Sequence, residues 1–132
     1  MKVLIDACFI VSFILDDEKH HKKAVELYNQ LENHELFISR AIIIEVINLL
    51  TKRLKGNTKE LLEIYKAIKF EYNIVEINPE LCDKAMETIL KYGGHIGLAD
   101  TINIEIMKEF DIYHIYSFDP DFDNKEGIVR IH

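Results

Sequence analysis

The chain begins with the stretch Lys2-Val3-Leu4-Ile5-Asp6, a short apolar run that ends at an acid. The run predicts a buried strand, and the acid marks the point where this strand passes into a helix that starts at about Ala7. In an open α/β sheet, ligands bind outside the carboxyl ends of the strands. Asp6 therefore occupies a usual position for a metal or phosphate ligand, although an aspartate there can also cap the following helix.

Strand and helix alternate along the rest of the chain. Further strands are predicted at residues 36–39, 74–77, 113–117 and 128–131. Amphipathic helices are predicted at residues 7–15, 18–31, 41–54, 58–72, 79–92 and 98–110, with Asp16 and Asp17 as candidate caps of the second helix. This alternation predicts an α/β fold with a largely parallel sheet and helices on both faces.

Composition limits the classes of protein to which the chain can belong. Its 132 residues fit a single domain, residues 1–132. No apolar run is long enough to cross a bilayer and no secretory signal or disulfide pattern is present, so we expect a soluble cytoplasmic protein without membrane contact. Acidic residues outnumber basic ones 23 to 16. This excess argues against a protein that holds nucleic acid by phosphate contacts alone, but less against a nuclease whose bound cations offset the acids.

Two acids lie in predicted helices. Glu45 interrupts a very apolar helix, where a carboxylate is costly unless it is paired, protonated or bound to metal. The alternative is that Glu45 lies with Asn48 and Lys52 on a solvent-facing stripe of that helix. Asp100 follows Gly97 at the start of a later helix, where it can bind a metal or cap the helix. Position alone leaves both alternatives open.

A further group of acids, Asp119, Asp121 and Asp123, shares one turn after a predicted strand. The turn lacks the glycine and the closing glutamate of an EF-hand calcium loop, and its alternative is a solvated acidic turn. Acids at element ends on one side of a parallel sheet repel one another unless a cation lies among them. Oxygen ligands without paired Cys or His favour Mg²⁺ or Mn²⁺.

Four short motifs, taken in order, resemble the PIN-domain family and especially its VapC-like ribonuclease toxins. The resemblance covers essentially the whole chain. It rests on Val3-Leu4-Ile5-Asp6-Ala7-Cys8, on Ser39-Arg40 through Glu45 and Asn48, on Gly97-Leu98-Ala99-Asp100, and on Ser117-Phe118-Asp119-Pro120-Asp121-Phe122.

The resemblance implies a PIN-like three-layer α/β/α fold and a Mg²⁺- or Mn²⁺-dependent endoribonuclease. In such an enzyme Glu45 binds metal directly or orients the attacking water, and Ser117 lies in the same pocket. Asp121 is the alternative to Asp119 as the fourth acid, and Cys8 stands where the family more often has Ser or Thr. The acidic quartet, catalytic and metal-binding, would be Asp6, Glu45, Asp100 and Asp119.

The resemblance also implies partners. These are an RNA substrate, a second copy of the chain in a homodimer, and a cognate antitoxin that inserts a segment into the site. The basic residues Arg40, Lys52 and Arg53 are candidates for steering phosphate. His20 and His21 are predicted to face solvent, and no base-stacking platform is evident.

Two competing classes of function remain to be weighed. The first is a non-catalytic PIN-like module that binds RNA or a protein partner, but a complete acidic quartet argues against it. The second is a phosphoryl-transfer domain, since receivers and phosphatases also place an acid after the first strand. A phosphatase of this kind requires Asp-x-Asp, whereas Asp6 is followed by Ala7-Cys8.

Overall fold

The computed structural model describes residues 1–132 and contains one five-stranded sheet in which all neighbouring strands are parallel. The order across the sheet is β3-β2-β1-β4-β5, so the first strand lies at its centre. This confirms the predicted α/β fold. The strands are β1 (Lys2–Ile5), β2 (Glu35–Ser39), β3 (Asn73–Val75), β4 (His114–Tyr116) and β5 (Val129–Ile131).

Six α-helices connect the strands in a three-layer α/β/α arrangement. The helix that follows β1 packs against the next two helices, while the last two helices pack against each other. A single 3₁₀ turn, Pro120–Phe122, lies between β4 and β5. The helices are α1 (Ala7–Ile14), α2 (His21–Tyr28), α3 (Arg40–Arg53), α4 (Thr58–Glu71), α5 (Pro79–Lys91) and α6 (Leu98–Glu109).

The second helix is shorter than the sequence predicts, and the prediction of its caps is wrong. It begins at His21 after His20, which makes no side-chain capping bond. The predicted cap Asp17 instead accepts a hydrogen bond from Arg53 of α3 at 2.7 Å, and Glu18 accepts another from the same guanidinium. The segment before α2 forms turns, and these ion pairs attach it to α3.

The centre of the sheet is fully buried. Val3, Leu4 and Ile5 of β1 have no exposed surface and belong to one hydrophobic cluster of 28 buried residues. An apolar strand covered on both faces is typical of parallel sheets with helices on both sides. The polar residues Ser39 and Ser117, at the carboxyl ends of β2 and β4, are also buried. No helix of the structure is both long and apolar enough to span a membrane.

A buried hydrogen bond connects two of the helices that carry predicted site residues. The Ser39 hydroxyl oxygen caps α3 by accepting from the amide of Ile42 at 3.2 Å. The same hydroxyl donates to the amide oxygen of Asn103 in α6 at 2.7 Å. Because α3 carries Glu45 and α6 carries Asp100, this bond helps to fix the spacing of the two acids.

Replacing Ser39 should therefore destabilise the fold by more than the loss of a cap. We expect Ser39→Ala to lower the free energy of unfolding by about 2–3 kcal/mol, because the buried Asn103 oxygen also loses its donor. Asn57→Ala is the matched control, since Asn57 caps α4 on the surface and should cost about 1 kcal/mol. Urea unfolding measures both, and equal losses would contradict a linking role for Ser39.

Candidate active site

Asp6 and Ser117 join the ends of the two central strands. Ile5 and Tyr116 are paired in the sheet, so the residues after them lie side by side. One carboxylate oxygen of Asp6 accepts from the amide of Ala7 at 2.8 Å, and the other accepts from the Ser117 hydroxyl at 2.6 Å. The Asp6 carboxylate therefore caps α1 with one oxygen and bonds to Ser117 at the carboxyl edge of the sheet with the other. Its burial raises the pKa of its carboxyl group above the ordinary value.

Cys8 adds a third contact to the same carboxylate. Its Sγ donates to Asp6 Oδ2 at 3.3 Å and lies 3.5 Å from the Ser117 hydroxyl oxygen. Burial, followed by the negative charge of Asp6, raises the pKa of the Cys8 thiol to about 12. The thiol therefore stays protonated at neutral pH and donates to Asp6.

The acidic turn after β4 is attached to the same serine. The amide of Asp119 donates to the Ser117 hydroxyl oxygen at 3.0 Å, and Asp119 Oδ1 accepts from the amide of Asp121 at 2.9 Å. Asp100, Asp119 and Asp121 each offer a carboxylate oxygen, and these oxygens all lie within 4.8 Å of one another. The cluster thus contains both Asp119 and Asp121, although the sequence offered Asp121 only as an alternative to Asp119.

Arg130 of β5 is bonded to the two ends of this turn. The sequence analysis did not predict a role for it. Its guanidinium donates to both carboxylate oxygens of Asp123, at 2.7 and 2.9 Å, and to the backbone oxygen of Ser117 at 3.3 Å. Hydrogen bonding to Arg130 holds the pKa of Asp123 below its ordinary value. Asp123 is therefore paired with a base, whereas Asp119 and Asp121 of the same turn form no ion pair.

Asp100 enters the cluster from the first turn of α6. The N-cap of this helix is Gly97, and no hydrogen bond within the chain engages the Asp100 carboxylate, so it does not act as a side-chain cap. Burial raises its pKa to about 7, with further contributions from the negative charges of Asp6 and Asp119. A carboxylate in this setting favours either a proton or a cation.

Glu45 lies on the exposed face of α3, so the predicted solvent-facing stripe is present. That face is also one wall of a groove of about 490 Å³, which Asp100 and Gly97 line from the opposite side. Burial, followed by the charges of Asp6 and Asp119, raises the pKa of Glu45. Glu45 is therefore both solvent-facing and close enough to the other acids to interact with them.

Of the three basic residues predicted to steer phosphate, two are already engaged. Arg40 forms an ion pair with Glu76, and Arg53 pairs with Asp17 and Glu18. Lys52 makes no ion pair and lines the groove that contains Glu45 and Asp100. Lys52 is thus the basic residue that remains available beside the acids.

The donor set fits a hard divalent cation. Its members are carboxylate oxygens, no basic side chain pairs with Asp100, Asp119 or Asp121, and neither histidine nor a deprotonated cysteine joins them. Such a set suits Mg²⁺ or Mn²⁺ rather than zinc. A cation would also relieve the repulsion among the acids, which gives the cluster a physical reason to bind one.

A family model and several solved structures match the chain. The family model, described as PIN domain, matches residues 3–128. Among curated proteins, none matches the sequence significantly. The structure of Mycobacterium tuberculosis VapC20, described as a Sarcin-Ricin loop cleaving toxin, superposes with a TM-score of 0.85 at 19% identity and covers 98% of either chain.

Two further solved structures belong to complexes. VapBC2 from Rickettsia felis, bound to a DNA fragment from its promoter, superposes with a TM-score of 0.72 at 12% identity, covering 99% of this chain and 98% of that chain. A toxin–antitoxin complex from Klebsiella pneumoniae gives a TM-score of 0.67 at 16% identity and covers 96% of this chain and 95% of that chain. At these identities the likeness is one of fold.

Burial of Asp100, together with repulsion from Asp6 and Asp119, should make the metal-free protein less stable as the pH rises. The folded state keeps the Asp100 proton up to about pH 7, whereas the unfolded state releases it near the ordinary value of 3.8. The folded state binds more protons over this interval, so the free energy of unfolding falls as the pH rises through it. We expect Asp100→Asn to remove this fall and to raise the Tm in chelator at pH 8 by roughly 4 °C.

Melting curves in chelator at pH 5 and pH 8 measure this effect. Asp83→Asn is the control, because Asp83 is an exposed acid of α5 outside the cluster. Mg²⁺ at pH 8 should raise the Tm of the unchanged protein and have a smaller effect on Asp100→Asn. A variant that melts below the unchanged protein at pH 8 would show that Asp100 is stabilising instead.

Proposed function

This chain belongs to the PIN domain family, and we propose that it is a metal-dependent endoribonuclease that acts as the toxin of a toxin–antitoxin pair. The observation that carries the proposal is the group of acids at the carboxyl edge of the sheet, none of which has a basic partner. Asp123 of the same turn, by contrast, is paired with Arg130.

We assign metal binding to Asp6, Asp100 and Asp119, with Asp121 as a further ligand. The short separations between oxygens of Asp100, Asp119 and Asp121 support the assignment of these three, and Asp6 is joined to Asp119 through Ser117. Glu45 lines the groove together with Asp100, where it would bind metal or orient the attacking water. We propose that one or two Mg²⁺ or Mn²⁺ ions are held there.

The chain's own residues prepare this site for a phosphodiester. Ser117 fixes Asp6 and the backbone of Asp119 together, so that two acids from different segments keep one relative position. Lys52 would attract the phosphate backbone of RNA toward the groove. When bound, the cation would lower the pKa of an attacking water and offset the charge that grows on the leaving oxygen.

We also propose that residues 1–132 form one PIN-like domain that works in the cytoplasm. The single sheet and the single hydrophobic cluster support one domain. An RNA substrate and two free cysteines, Cys8 and Cys82, fit the reducing interior of a cell.

Cleavage of a mixed single-stranded RNA tests the proposal most directly. With Mg²⁺ or Mn²⁺ the protein should cut the RNA, and chelator should stop the reaction. Asp100→Asn should lower the rate by more than about 100-fold, because even the loss of a group that supports a metal ligand costs 10- to 100-fold. Cleavage products are followed on denaturing gels over time.

Asp83→Asn serves again as the matched control and should cleave like the unchanged protein. If RNA stays intact under all conditions while calorimetry detects no binding of Mg²⁺ or Mn²⁺, the acids are structural. The chain would then be a non-catalytic module that binds RNA or a protein partner. Undiminished cleavage in chelator would contradict the role of the metal.

An apolar groove supports an antitoxin as partner. It has a volume of about 260 Å³ and is lined by α1, α2 and α4, with Tyr28 stacked on Phe13 at 4.3 Å between ring centres. Phe70 at its rim is 92% exposed, which is unusual for a large apolar side chain. We propose that an amphipathic helix of the antitoxin fills this groove and that a following segment reaches the acids.

We also infer a homodimer. Ile44 and Leu49 of α3 expose apolar side chains in the groove that Glu45 and Asp100 also line, and Leu98 at the start of α6 is exposed as well. A second copy that covered part of this surface would bury them and leave two acidic sites near one another.

Substitution of Phe70 should separate antitoxin binding from catalysis. We expect Phe70→Asp to weaken binding of the cognate antitoxin by about tenfold or more, because a charge replaces an aromatic anchor that the complex would bury. Leu62→Asp is the control, since Leu62 is exposed on α4 outside the groove. Calorimetry measures binding, and equal effects of the two variants would argue against this groove.

A further inference from the structure

A second cleft lies beside the acids, between α1 and α3. We name it the α1–α3 cleft and define it by its lining residues Cys8, Val11, His20, Leu49, Lys52 and Phe118. Its volume is about 310 Å³, at the lower end of the range of roughly 300–1,000 Å³ that is usual for ligand sites. A cleft of this size fits one nucleotide and excludes a duplex.

Aromatic rings form one wall of the α1–α3 cleft. The ring of His20 stacks on the ring of Phe118, with centres 4.4 Å apart and planes inclined by 13°. Phe118 also stacks on Phe9 in the core at 5.6 Å. No hydrogen bond within the chain engages the His20 ring nitrogens, although His20 is half-buried. Such a surface can stack against a base.

A basic side chain connects the cleft to the acids. Lys52 lines both the α1–α3 cleft and the groove that contains Glu45 and Asp100, and it makes no ion pair. Its neighbour Arg53 also lines the cleft but is held by Asp17 and Glu18. Lys52 is therefore placed to contact a phosphate that runs between the two cavities.

The wall of the cleft is bonded directly to the candidate metal ligands. The amide of Phe118 donates to Cys8 Sγ at 3.4 Å, and the same thiol donates to Asp6. Phe118 itself lies between Ser117 and Asp119 in the chain. A base against this wall is thus within one nucleotide of the acids.

We propose that the α1–α3 cleft is a nucleobase subsite, in which the His20–Phe118 pair holds one unpaired base of a single-stranded RNA next to the cleaved phosphate. The inference rests on the proposed ribonuclease function. The ring of His20, held in place by Phe118, stacks on the flat face of a base, and Lys52 binds the phosphate attached to it. Because every base has such a face, stacking gives affinity for unpaired RNA with little preference among bases.

The experiment uses a set of short RNAs that differ by one abasic nucleotide at successive positions around the mapped cleavage site. An abasic nucleotide at one position next to that site should raise KM roughly tenfold, with little change in kcat. His20→Ala should raise KM for the intact RNA by a similar factor and make the protein insensitive to the abasic nucleotide. Lys52→Gln should raise KM for all the RNAs alike.

Two further variants separate stacking from a structural role. His20→Phe keeps the flat ring and should restore KM, which a general loss of folding would not allow. His132→Ala is the control for loss of a histidine, because His132 is exposed at the end of the chain and does not line the cleft. If the abasic nucleotide raises KM equally for His20→Ala and for the unchanged protein, the proposed subsite is wrong, but the proposed ribonuclease function is unaffected. A His20→Ala protein that binds the antitoxin more weakly but keeps unchanged RNA kinetics would also overturn the subsite.

A separate measurement keeps the subsite testable if the protein cuts no RNA. NMR titration of the protein with adenosine 5′-monophosphate should shift the ring signals of His20 to saturation, whereas ribose 5-phosphate should not. That result would support base binding even though the proposed function had failed. No base-dependent shift at His20 would overturn the subsite.

Discussion

Negative charge concentrated at the carboxyl edge of the sheet is the constraint on which the rest of the structure depends. Asp6, Asp100 and Asp119 come from separate segments, and burial, followed by the charges of Asp6 and Asp119, raises the cost of ionising Asp100. The fold offsets part of this cost with hydrogen-bond donors, since Ser117 and the amide of Ala7 both donate to Asp6. The remainder can be met only by protons or by a cation.

The distribution of basic residues reinforces this constraint. Arg130, Arg53 and Arg40 each pair with an acid outside the cluster, and so they organise the surrounding turns without cancelling its charge. Lys52 alone is left unpaired at the groove. An excess of acids in the whole chain is thus compatible with RNA binding, because a local cation and one well-placed lysine change the field that a phosphate meets.

Local sequence was sufficient for most of the fold and for the position of each acid. The first strand was predicted with its observed bounds, because an apolar run and the acid after it are local signals. The prediction that Asp17 caps the second helix was wrong. Asp17 instead pairs with Arg53 of α3, a contact between distant segments that no local pattern reveals. The stacking of His20 on Phe118 and the contacts of Arg130 were not predicted, for the same reason. A pairing of aromatic or ionic side chains from opposite ends of a chain is set by tertiary packing.

The hydrogen bond between Ser39 and Asn103 also restricts how far the groove between α3 and α6 can widen. Glu45 and Asp100 lie on the two helices that this buried bond connects, so widening the groove requires part of the core to open. Local opening of that kind is as rare as partial unfolding, in contrast to the motion of a surface loop. An RNA strand or a cation bound in this groove would therefore meet walls whose spacing is set in advance by the interior of the protein.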